Sequence, residues 1–109
     1  MNIKAEGSIY IGAEERRLKL GTNATSEYCR MNGVSLSEFG DRFARLEIGD
    51  LRDLTYCALW AGANGSVDFT PFDVGDWMDE VGVFESVIAF FNSIEVPKSG
   101  TNKTPSKKK

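Results

Sequence analysis

The sequence predicts a mainly α fold: an N-terminal β-hairpin, then a compact bundle of about five short helices, then a disordered basic C-terminal tail. Three observations predict it. Apolar and polar residues alternate only in the stretch SIYIGAEERRLKL, residues 8–20. Beyond it, helix-capping residues and glycine stops recur at short intervals. The last twelve residues, KSGTNKTPSKKK, hold five lysines and no aromatic or aliphatic anchor. A chain of 109 residues suits one domain, here residues 1–97, with 98–109 as the tail.

In the hairpin, Ile9 and Ile11 alternate with Ser8 and Tyr10, and Leu18 and Leu20 alternate with Arg17 and Lys19. The region Gly12–Glu14 makes the turn. An isolated hairpin is marginal in water, so this one needs a surface to lean on. After Gly21, Thr22 is placed to cap a helix running to about Met31, and Asn32-Gly33 supplies a left-handed stop. Ser35 and Glu38 form an S-x-x-E capping box, with Val34 and Phe39 at the positions of a hydrophobic staple. That helix extends to about Leu46, with Phe39, Phe43 and Leu46 on one face, and Gly40 weakens it by about 1 kcal/mol.

Asp50 is read as the cap of a third helix, with Asp53 in its first turn and Gly62 as its stop. Thr70 caps a fourth, Pro71 takes its first helical position, and Phe69 staples to Val74. Gly82 separates it from a fifth, VFESVIAFFNSI, and Val96-Pro97 closes the domain.

Charge is distributed unevenly. Removing the tail's five lysines from the 13 basic residues leaves eight against 16 acids, so residues 1–97 carry −8. Residues 53–97 hold eight acids and no base. No apolar run approaches the roughly 20 residues of a membrane span, and MNIKAEGSIY lacks the apolar core of a signal peptide. The expected location is the cytoplasm, where Cys29 and Cys57 stay reduced.

Catalytic signatures are scarce. Histidine is absent, which removes Ser-His and Cys-His pairs and histidine metal ligands. Two cysteines 28 positions apart cannot make a tetrahedral zinc site, and no phosphate-binding glycine loop is present. No cofactor is expected. Asp73, Asp76, Asp79 and Glu80 project opposite the apolar stripe of Val74, Trp77, Met78 and Val81 at about 100° per residue. That is the pattern of a solvated helix face, with an acidic docking surface as the alternative.

The stretch LTYCALWAG, residues 54–62, sets Cys57 among Leu51, Leu54, Ala58 and Ala61 on one stripe, where a thiol acts as a small hydrophobe. No base or cation nearby in sequence activates it. Tyr56 and Trp60 lie on the other side, facing either further core or a partner. The fifth helix is similarly wide: its large apolar residues span about 160°, against about 100° for an ordinary surface helix. Two readings fit. Either it is a central packing helix, or Phe84, Ile88 and Phe91 form an exposed interaction patch.

Read in order, the hairpin, "LGTNA…YC…NGVSL", "DLRDL…ALWAG" and "DVGDWMD" resemble the small tail assembly chaperones of long-tailed phages and prophages. The resemblance spans about residues 9–80. It implies a non-enzymatic protein that binds the long, aggregation-prone tape measure protein and helps recruit tail tube subunits. Such a protein works in the host bacterial cytoplasm and is absent from the finished virion. Candidate partner-binding residues are Tyr56, Trp60, Trp77, Phe84, Ile88 and Phe91, since large aromatics usually anchor interfaces. Family members are often also made in a longer form by ribosomal frameshifting. Lys107, Lys108 and Lys109 therefore either record a slippery A-rich codon run or form a plain solubilising tail. Self-association through the wide apolar faces is a further expectation. An alternative is a small helical interaction domain, or one touching nucleic acid through its lysines, although the acidic body opposes a phosphate backbone.

Overall fold

The computed structural model describes residues 4–94, and it has the predicted architecture. Strands β1 (Ala5–Ile11) and β2 (Glu14–Leu20) form an antiparallel hairpin, followed by helices α1 (Thr22–Asn32), α2 (Leu36–Arg45), α3 (Ile48–Gly62), α4 (Pro71–Met78) and α5 (Val83–Asn92). The closing Val96-Pro97 and the tail 98–109 lie outside the described residues.

The hairpin register runs unbroken from Ala5↔Leu20 to Ile11↔Glu14. Gly12 and Ala13 both have positive φ, 64° and 68°, which makes a type I′ turn whose twist matches the strands. Ile11, Leu18 and Leu20 are fully buried, while Glu6, Ser8 and Tyr10 face outward. The surface on which this hairpin leans is α3 for β2 and α5 for β1.

Two helix starts are as expected. Ser35 and Glu38 make the reciprocal capping box of α2. Thr70 caps α4, with Pro71 at its first position, and Asp73 completes a second capping box there. Asp73 is thus a capping residue as well as a member of the acidic face. Gly33 stops α1 with φ 63°.

Two boundaries differ. Thr22 is already helical, and the cap position of α1 is Gly21, with no side-chain bond. The third helix starts three residues early, at Ile48 after Glu47, so Asp50 is not its cap. Asp50 instead accepts a hydrogen bond from the Tyr28 hydroxyl and faces Arg42 at 3.6 Å, tying α1, α2 and α3 together. A buried phenol needs such an acceptor. Asp53 is not in the first turn either; it is buried in the helix body and paired with Arg52 at 2.9 Å.

Gly62 is the last residue of α3, as expected. It keeps ordinary helical φ, and the left-handed residues come later, at Asn64 and Gly65. The Gly65 N–H bonds back to the Trp60 carbonyl at 2.8 Å. A Cβ on Gly62 would lie 2.3 Å from the Arg17 carbonyl oxygen. This glycine therefore ends α3 and also lets that end close on β2.

One core joins the elements: Tyr28, Phe39, Leu54, Cys57, Ala58, Val74 and Val87 are essentially inaccessible. Among the described residues, no helix is long and apolar enough to cross a membrane.

Candidate interaction surface

The sequence places Tyr56 and Trp60 one turn apart on α3 and Trp77 on α4, and all three are half-buried. Phe69, just ahead of the Thr70 cap, links two of them. Its ring meets Tyr56 edge-on at 5.9 Å and Trp77 at 4.9 Å between centroids. Such edge-to-face pairs add about 0.5–1.5 kcal/mol beyond their area. Trp60 borders the loop turn, 3.4 Å from where a Cβ of Gly65 would be.

Arg16 completes this row. Its guanidinium lies 5.0 Å from the Phe69 centroid and 4.9 Å from that of Trp77, within cation–π range. Its Nε donates to the Ile11 carbonyl at 2.9 Å, and Nη2 donates to the Gly12 carbonyl and the Glu14 carboxylate, each at 3.2 Å. One side chain thus clamps the hairpin turn onto the α3–α4 corner. A Cβ at Gly12 would lie 2.9 Å from the Trp77 ring, so only glycine permits that contact. Beside the row lies a cleft of about 200 Å³, floored by Leu59, Val67 and Phe69 and rimmed by Glu14, Glu15 and Arg17.

The α5 candidates divide. Phe84 and Ile88 are half-buried. Phe91 is only 6% exposed and packs edge-on to Phe43 and Phe90, 6.5 and 5.2 Å away. Its place is the core, which removes it from the surface available to a partner. Val83 and Val87 share that buried seam, whereas Glu85, Ser86, Ala89 and Asn92 are exposed. Both readings of α5 therefore hold for part of it: one seam packs inward, and Phe84 and Ile88 sit at the border. The six candidates form two groups, since α5 contacts β1 and α4 while the aromatic row joins α3, α4 and the hairpin turn.

Arg16 is not a sequence candidate, because nothing in its neighbourhood shows that two rings from other segments will meet it. Phe72 was also passed over, yet it is 72% exposed. Here a signal existed, since helical projection puts it beside Asp76 on the polar face. Among the four acids, Asp76, Asp79 and Glu80 are exposed.

Cys57 is fully buried, with its Sγ 3.6 Å from the Met31 sulfur. Burial pushes its thiol up to about 12, helped by the charges of Glu27 and Asp53, so at neutral pH it is a protonated core residue. Burial also raises Cys29, together with the nearby Glu38 charge. Among the described residues, no group of three or more His, Cys, Asp or Glu stands close enough to hold a metal ion. Compared with known proteins, the chain matches no family model, no curated protein and no solved structure.

Proposed function

We propose that this chain is a non-enzymatic tail assembly chaperone that binds the tape measure protein of a long-tailed phage and helps recruit tail tube subunits around it in the host cytoplasm. The observation that carries the reading is the border of half-buried large apolar side chains: Tyr56, Trp60 and Trp77 on one side, Phe84 and Ile88 on α5. A tape measure protein is largely helical, and an amphipathic helix docks by laying its apolar stripe against such a border. Exposed carboxylates on α4, in the turn after it and on α5 (Asp76, Asp79, Glu80 and Glu85) favour basic partner segments and speed encounter in a salt-dependent way. The sequence resemblance over residues 9–80 points to the same role.

The test is a pull-down or calorimetric titration with segments of a tape measure protein. Phe84→Asp and Ile88→Asp each abolish binding while the circular dichroism spectrum stays that of the wild type. Retained binding in a folded variant rejects α5 as the docking face. Phe91→Asp serves as a contrast and disrupts the fold, because its ring is in the core.

A further inference from the structure

We infer that β1 is a dimerisation edge, pairing antiparallel with β1 of a second copy to make a continuous four-stranded sheet. The two edges of the hairpin are unequal. In a hairpin closed by a two-residue turn, Ile11↔Glu14 is a hydrogen-bonded pair, and pairing then alternates along the ladder. Ser8↔Arg17 is accordingly a non-bonded pair, so the Arg17 carbonyl points away from β1. That carbonyl is the group against which Gly62 closes, so α3 covers the outer edge of β2. By the same alternation, Glu6, Ser8 and Tyr10 direct their N–H and C=O groups outward from β1. Among the described residues, no further strand pairs there.

Side-chain burial shows the same asymmetry at the end of the hairpin away from the turn. There the inward Leu18 and Leu20 of β2 are fully buried, whereas their partners Gly7 and Ala5 on β1 are half-buried. Nearer the turn the order reverses, with Ile11 fully buried and Glu14 exposed, so the core is open along β1 from Ala5 to Ile9. Natural sheet edges are usually blunted by proline, bulges or several charges. β1 has no proline, its register is unbroken, and its one charge, Glu6, is already paired with Arg17 at 2.6 Å.

The occupant follows from register. With the twofold axis at Ser8, all seven residues of Ala5–Ile11 overlap those of the second copy. On the inward face, Ala5 then meets Ile11 of the second copy, and Gly7 meets Ile9, so each small residue stands opposite a branched one. Phe90 already lies at 3.1 Å beneath the Gly7 position, so the incoming Ile9 lands on an aromatic ring. On the outward face, Glu6 stands opposite Tyr10, and no like charges face each other across the pair. β1 is itself an extended, unblunted strand that fits this edge.

Sedimentation equilibrium of the full chain tests the inference, and a dimer is expected. Ser8→Pro removes an N–H that points outward and spares the ladder to β2, so it gives a monomer with wild-type circular dichroism. Register is read independently by oxidation of cysteine variants. Across the axis the two Ser8 Cα atoms lie about 5.5 Å apart, within disulfide range. Ser8→Cys therefore cross-links to itself. Glu6→Cys and Tyr10→Cys do not self-link, but they link to each other when mixed. A wild-type chain that stays monomeric at several hundred micromolar overturns the inference. So does a folded Ser8→Pro dimer, or self-linking at position 6 equal to that at position 8.

Discussion

Replacing Gly62 with alanine sets two effects against each other inside one helix. Helix propensity favours alanine by about 0.5–1 kcal/mol. Opposing it, the new Cβ would lie 2.3 Å from the Arg17 carbonyl oxygen and 2.9 Å from its carbon. An ordinary carbon–oxygen contact is about 3.3 Å or more, so the end of α3 must retreat from β2 by roughly 1 Å. The obstacle is the backbone of a paired strand, which cannot rotate aside. Overpacking of this kind costs about 1–3 kcal/mol, and a rigid obstacle puts it at the upper end. The expected net loss is about 2 kcal/mol, or roughly 8–16 °C in Tm for a domain of this size. Gly49, in the first turn of the same helix, has nothing within 4 Å of its Cβ position. Gly49→Ala should therefore stabilise, by about 0.5 kcal/mol. Thermal and urea unfolding of the two variants give opposite signs if the reasoning holds. A Gly62→Ala protein as stable as the wild type refutes it, and with it the claim that α3 seals the β2 edge.

Three further outcomes are expected. The Cys57 thiol is raised from 9.0 to about 12, so its contribution is complete below pH 9 and is lost as pH rises through 12. Tyr28, raised by burial from 10.0 to about 12, adds a loss of the same sign beginning near pH 10. Urea midpoints between pH 8 and 10.5 should fall less steeply in Cys57→Ala than in the wild type, and identical slopes would contradict the assignment. Ala13 sits at φ 68°, where an L side chain costs about 1–2 kcal/mol. Ala13→Gly should raise stability by about 0.5–1 kcal/mol after the entropic cost of glycine, and a lower urea midpoint would rule out the type I′ turn. Phe91→Ala should cost about 3–5 kcal/mol as a core truncation, and half-buried Phe84→Ala well under half of that. Equal losses in chemical denaturation would show that α5 has no distinct inward seam.

Much of the fold was legible because it is written in local chemistry. Alternation gave the hairpin, and the Ser35–Glu38 and Thr70–Asp73 spacings act within one helical turn, so their readings do not depend on distant residues. The helix faces likewise follow from a period, which is why the Cys57 stripe reads as core in the sequence and is core in the structure. Side-chain hydrogen bonds over longer distances were not legible. Asp50 looks like a cap in sequence, but its carboxylate is committed to Tyr28 and Arg42, 22 and eight positions away.

What the sequence by itself determined about this protein is the order and kind of its elements, the buried thiol, and an acidic half followed by lysines. What only the tertiary structure decided is the role of each ambiguous residue. Phe91 and Phe84 are aromatics two turns apart on one helix, and only packing against Phe43 makes the first a core residue. Gly62 reads as a stop and ends α3, and only packing shows that it is also a spacer. Nothing local marks Arg16, and it lies over the rings of Phe69 and Trp77. In each case the deciding contact comes from a distant segment, and a one-dimensional period cannot encode which neighbour folding will bring into contact.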